Sequence, residues 1–122
     1  MNILIVVHNS DDRSFLGLEL SKFHILRFAE SYVTGLEVMF SDIASVDLLM
    51  LDWFSERISP EEFVREAASL LPNVPMLLVG EACKLSPAAG ALTFCRCLKY
   101  PLDAKEVTKA SAFVPYLKNN AG

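Results

Sequence analysis

Val46-Asp47-Leu48-Leu49-Met50-Leu51-Asp52 is the stretch that decides the fold of this chain. From Leu48 to Leu51 its apolar residues follow one another without alternation. A strand with one wet face alternates apolar and polar side chains, so this run is apolar on both faces, as in a central parallel strand covered by helices on each side. It closes on an acid. Ligands of open α/β sheets bind at the carboxyl ends of the strands, which makes Asp52 the first residue to ask about function.

Working outward, residues 2–7 form a second near-continuous apolar run of strand length. Ser10 followed by Asp11 and Asp12 predicts a helix N-cap with favourable acids in the first turn, the helix running to about Lys22 with Phe15, Leu16, Leu20 and Phe23 inward. Residues 23–28 read as the second strand. Residues 31–43 read as a helix with Val33, Leu36, Phe40 and Ile43 on one apolar stripe, interrupted by Gly35. Beyond Asp52, Ser59-Pro60-Glu61-Glu62 combines an N-cap serine, proline at the first helical position and a glutamate that completes a capping box. That helix ends near Leu71, where Pro72-Asn73 breaks it, and residues 74–79 form a strand entered through Pro75. A short helix over 87–92 and a fifth strand over 93–99 follow. Asp103-Ala104-Lys105-Glu106 then opens a last helix that buries Val107, Ala110, Val114 and Leu117, with Pro115 kinking it or ending it early. Five strands alternating with five helices predict a doubly wound (βα)5 parallel sheet with right-handed crossovers.

Composition bounds the function. The 122 residues are 52% hydrophobic and 21% charged, enough apolar surface for one domain spanning 1–122. No apolar run approaches the roughly 20 residues of a membrane span. Residues 2–7 lack the basic flank and cleavage site of a secretory signal. A net charge of −4 disfavours direct contact with nucleic acid. Three cysteines, Cys83, Cys95 and Cys97, make no disulfide framework, and together with the missing signal they point to a reducing, cytoplasmic setting. Cys95 and Cys97 share a strand face, but no His or acidic ligand lies near them in sequence. They read as small buried hydrophobes rather than a metal pair.

An acid closing an apolar central strand, a fourth strand entered through Pro75, and a fifth leading into Lys99-Tyr100-Pro101-Leu102-Asp103 resemble the receiver (CheY-like) domains of response regulators. The resemblance spans nearly the whole chain and implies a CheY-like/flavodoxin-like fold with strand order 2-1-3-4-5. It also implies that Asp52 stands at the phosphoryl-acceptor position, where the family adds a magnesium ion on two acids after strand 1, a hydroxyl after strand 4 and a lysine after strand 5. The metal and lysine neutralise phosphoryl charge, and the hydroxyl bonds the transferred group. In this chain the acid pair becomes Val7 and His8, or His8 and Asn9 in the neighbouring register. The hydroxyl position becomes Gly80. Anchoring on Pro101 puts Tyr100 at the lysine position, and Lys99 reaches the pocket only through a bulge. Asp11 and Asp12 fit the first turn of a helix better than a metal site. Within the family, Asn9-Ser10-Asp11-Asp12-Arg13-Ser14 and Pro75-Met76-Leu77-Leu78-Val79-Gly80-Glu81 are similar to the degenerate amino-terminal domains of FleQ-type enhancer-binding regulators, which implies a module that sets assembly state.

The leading expectation is therefore a degenerate receiver domain: a non-enzymatic regulatory interaction or dimerisation module of a signalling or transcriptional regulator, with no catalytic residues, no bound metal and no cofactor. The rival is a working receiver that accepts a phosphoryl group on Asp52 from a histidine kinase, using Lys99 and magnesium. A small nucleotide binder is disfavoured, since the loop His8-Asn9-Ser10-Asp11-Asp12-Arg13 has no glycine and carries two acids where a phosphate would sit. The expected pocket comprises His8, Asn9, Trp53, Gly80, Lys99 and Tyr100 around Asp52. His8 is placed to pair with Asp52 as an imidazolium or to stand solvated in its loop, and His24 reads as a surface residue. Trp53 and Phe54 either cap the pocket or join the core. Ala88, Ala89, Ala91, Leu92, Phe113 and Tyr116, from the fourth helix, fifth strand and last helix, offer an apolar face for a homodimer.

Overall fold

The computed structural model describes residues 1–41, 45–54, 57–80, 95–98, 105–107 and 109. Its described elements are β1 (Asn2–Val6), α1 (Ser10–Leu20), β2 (Ile25–Ala29), α2 (Tyr32–Ser41), β3 (Leu48–Asp52), α3 (Pro60–Leu70), β4 (Met76–Val79) and β5 (Cys95–Leu98). The strands form a parallel sheet in the order β2-β1-β3-β4-β5, the order the sequence implied.

The sheet divides the core in two. On one side Leu4, Val6, Leu49, Leu51 and Leu78 pack against α2 and α3; on the other Ile3, Ile5, Val7, Leu48, Met50, Leu77 and Val79 pack against α1 and Val107. Alternate residues of the same strands supply the two clusters, which is why the apolar runs of β1, β3 and β4 have no polar interruptions. Every residue of β3 is buried. Asp47, the acid inside the deciding stretch, lies just before β3 and ties it to β1: its carboxylate accepts from the Asn2 amide at 2.8 Å, and its own amide donates to the Asn2 carbonyl at 2.8 Å.

The helix signals hold where a cap and a stripe agree. Ser59 caps α3, accepting from the Glu62 amide at 3.2 Å, and Phe63, Val64 and Ala67 are buried. Three expectations need correction. The cap of α1 is Asn9, whose side chain accepts from the Asp12 amide at 3.0 Å, while Ser10 already lies inside the helix. Phe23 is not inward: α1 stops at Leu20, and a turn leaves Phe23 74% exposed. The buried stripe of α2 is Tyr32, Gly35 and Met39; of the expected residues Leu36 is half-buried against the core, while Val33 and Phe40 are exposed. Ile43 lies outside the described residues. Gly35 is the reason for the rotated stripe. A Cβ there would stand 3.0 Å from Val6 Cγ2 and 3.5 Å from the Phe63 ring, so the missing side chain lets α2 approach the sheet on this face.

The fourth helix and most of the last one fall outside the described residues, but residues 105–107 are helical and Val107 is fully buried, as the sequence predicted. Among the described residues no helix is long and apolar enough to cross a membrane.

Candidate functional site

Asp52 is the last residue of β3, paired with Val79 of β4, and is only 7% exposed. Its Oδ1 accepts from the Trp53 amide at 2.7 Å. Its carbonyl oxygen accepts from the Tyr32 hydroxyl at 2.5 Å, and the same hydroxyl accepts from the Phe54 amide at 3.2 Å. Tyr32 is thus a clamp from the first residue of α2 onto the turn that leaves β3. It is placed by its helix start, where Ser31 Oγ accepts from the Thr34 amide at 3.1 Å in the manner of an N-cap.

Aromatic packing reinforces the clamp. The Tyr32 ring is stacked between Phe54, with centroids 4.1 Å apart, and Phe63, 4.7 Å apart. Phe54 in turn meets the His8 ring at 5.3 Å. Trp53 and Phe54 are both half-buried against the α2–α3 cluster, so they join the core and flank the pocket at once. The exposed His8 does not pair with Asp52. Its ring lies on Phe54, and its Nδ1 faces the Glu30 carbonyl at 3.1 Å, which assigns the proton to that nitrogen.

The loop from β1 to α1 is closed by its own residues. Val7 is buried, and its amide donates to the Ala29 carbonyl at 3.2 Å. The Asn9 amide oxygen is occupied in capping α1. Arg13 reaches back from α1, its Nη1 donating to the carbonyls of Val7 and His8, both at 2.7 Å. Magnesium requires a near-octahedral set of oxygen ligands, usually with a carboxylate among them. The acid-pair position offers an apolar side chain, an imidazole and an amide already engaged, with a guanidinium seated on the loop carbonyls. The residues present do not fit magnesium there. Among the described residues no group of three or more His, Cys, Asp or Glu converges to hold a metal ion. Asp11 and Asp12 lie in the first turn of α1.

Gly80 follows β4 and has a φ of 61°, the left-handed region where a side chain is strained. The receiver resemblance implies a hydroxyl residue at this position, and a serine or threonine would be strained on this backbone. Lys99 and Tyr100, the remaining pocket candidates, lie outside the described residues, as does the Cys95 side chain; Cys97 is half-buried against the α2–α3 cluster.

Sequence reasoning brought Asp52, His8, Asn9, Trp53 and Gly80 to this end of the sheet but missed two residues that organise it. Tyr32 was legible in principle as the first member of a Tyr32, Gly35, Met39 stripe, had the glycine been read as an inward contact. Arg13 left no signal, because its role depends on the turn between Val7 and α1.

No protein-family model matches the chain, and no curated protein matches it. Among solved structures it is similar to a response regulator receiver domain from Clostridium thermocellum, with a TM-score of 0.82 and 18% identity over 98% of this chain and 95% of that one. It is similar to the Vibrio cholerae chemotaxis protein CheY4, with a TM-score of 0.80 and 17% identity over 93% and 97%. It also matches NtrX from Brucella abortus, with a TM-score of 0.86 and 18% identity, covering 98% of this chain and 28% of that longer one. The chain therefore has the CheY-like receiver fold.

Proposed function

We propose that this chain is a degenerate receiver domain, a single regulatory unit over 1–122 that acts by protein contact in a signalling or transcriptional regulator, without magnesium-dependent phosphorylation and without enzymatic activity. The observation that carries the reading is the closure of the β1–α1 loop, where Arg13 binds the Val7 and His8 carbonyls and Asn9 is spent on the helix cap. A fixed cation and an engaged amide stand where the family places metal-binding acids. The likeness of residues 9–14 and 75–81 to FleQ-type regulators supports a role in setting assembly state, and the match to 28% of the longer NtrX chain supports a module of a kind that also occurs within longer chains. Self-association belongs to this reading. The face expected from the sequence, in the fourth helix, fifth strand and last helix, lies outside the described residues. The reading places the domain in the cytoplasm, with protein partners rather than nucleic acid.

The second reading is a receiver phosphorylated on Asp52 by a histidine kinase, with magnesium as cofactor. Asp52 itself favours it, because an acid at the end of the central strand is kept where the acceptor would be. Titrating magnesium while following the fluorescence of Trp53, the chain's one tryptophan and the immediate neighbour of Asp52, separates the two. A flat response supports the contact module. A saturating response that disappears in Asp52→Asn supports the receiver with a metal site.

A further inference from the structure

We propose that the outer edge of β2 is a self-association surface, on which a second copy of this chain lays its own β2 antiparallel across a two-fold axis. The proposal rests on the reading of the chain as a contact module and names the surface.

Among the described residues the exposed large apolar side chains are Leu18, Phe23, Ile25, Phe28, Val33 and Phe40. All of them belong to α1, the turn after it, β2 or α2. None lies on the β3, α3 or β4 side of the molecule. A patch gathered on one flank in this way marks an interaction site rather than ordinary scatter. β2 stands at the end of the sheet order, so its outer backbone edge faces no strand of the described sheet. Its sequence, Ile25-Leu26-Arg27-Phe28-Ala29, carries no proline and a single charged residue, Arg27, so it has little of the charge and proline that keep an edge from pairing.

The shape of the patch argues for a second copy. Leu26 and Phe28 face α1, where the Phe28 ring lies 3.3 Å from the position of a Cβ on Gly17; Ala29 faces the α2 side, and Ile25 shares that face by alternation. Both helices run back from the carboxyl to the amino ends of the strands, which puts Leu18 and Phe40 on opposite faces beside the amino half of β2. An extended peptide added to the edge would leave these flanking side chains uncovered. A second copy brings its own α1 and α2 to both faces.

The patch also complements itself. Antiparallel pairing carries the partner copy's amino end to this copy's carboxyl end. The exposed Phe23 stands at the first, and a groove of about 670 Å³ runs along α1 against Phe28, lined by Ser10, Arg13, Ser14, Gly17, Leu18 and Ser21, so that its Ser10 and Arg13 end lies at the second. Lys22 and the Met1 amine, with Glu19 beside them, lie at the amino end, and Asp11, Asp12 and Glu30, with Arg13 among them, at the carboxyl end, so a net positive end meets a net negative one at both ends of the contact. Such rim charges set orientation and register more than affinity.

The test is sedimentation of the full 122-residue chain across a concentration series, with circular dichroism confirming the fold of each variant. The expected result is a concentration-dependent dimer, weakened about tenfold or more by Ile25→Lys and again by Phe23→Lys, as for central interface residues, and unchanged by Tyr116→Lys on the face expected from the sequence. A dimer that survives both β2-flank substitutions, or one abolished by Tyr116→Lys alone, overturns the β2 surface and leaves self-association standing. A wild-type chain monomeric at every concentration overturns both. None of these results depends on whether Asp52 takes a phosphoryl group, so a failure of this surface is distinguishable from a failure of the phosphorylation-independent reading.

Discussion

β3 and β2 flank the same strand, β1, and both are short parallel strands rich in apolar residues, yet they meet opposite fates. All five residues of β3 are buried, whereas Ala29 is the only residue of β2 that is. Position in the sheet order, not hydrophobicity, makes the difference. A central strand has helices over both faces and neighbours on both edges; the last strand has one edge and half of each face left over. The central strand therefore anchors stability and the pocket, and the edge strand holds the apolar surface that a partner can use.

The sharpest way to break this contrast is to truncate one side chain on each strand. Leu51→Ala should cost about 2–5 kcal/mol by chemical denaturation, since its cavity opens in the α2–α3 cluster. Ile25→Ala, measured at a concentration where the chain is monomeric, should stay within about 0.5 kcal/mol. Equal costs would mean that the β2 edge is covered within the monomer. A smaller effect probes why α2 lies so close to β1. Gly35→Val should cost about 1–3 kcal/mol through overpacking against Val6 and Phe63, and an unchanged denaturation midpoint would show that α2 moves off the sheet freely.

At the pocket end, Tyr32→Phe keeps the ring stack but removes the hydroxyl shared by the Asp52 carbonyl and the Phe54 amide. A loss of about 1–2 kcal/mol is expected, together with a change in Trp53 emission as the turn loosens. The smallest effect lies at the amino end of β2. Burial, and then the nearby Met1 amine, hold the His24 pKa below its ordinary value. The folded chain thus binds the proton less readily than the unfolded chain, and His24 contributes stability that is present above the ordinary histidine value of about 6.5 and lost as pH falls through the depressed folded value. His24→Gln should flatten the acid side of the stability profile below that pH, and a profile that keeps its slope would assign it to other groups.

These two ends of the molecule also differ in how far they were legible. The sheet could be read because β1, β3 and β4 are buried on both faces, a demand that leaves only apolar residues, and α3 could be read because its cap, proline and stripe agree. In α2 only Leu36 of the apolar stripe is legible, because a glycine carries no hydrophobic signal although Gly35 here lies against Val6 and Phe63. Phe23 was placed inward because the end of α1 lacks a breaker, and Asn9 and Ser10 are adjacent residues that are both competent to cap. At the pocket Asp52, His8, Asn9 and Gly80 could be placed by strand ends alone. The His8 ring found Phe54 and the Glu30 carbonyl rather than Asp52, and Arg13 and the Tyr32 hydroxyl act through contacts between segments that sequence spacing does not encode.

The central claim, a receiver fold that works without phosphorylation of Asp52, is tested most directly by intact mass spectrometry after incubation with magnesium and a small-molecule phosphodonor, alongside Asp52→Asn. The account predicts no phosphoryl adduct on either protein. An adduct on the wild-type chain that is absent from Asp52→Asn would contradict it.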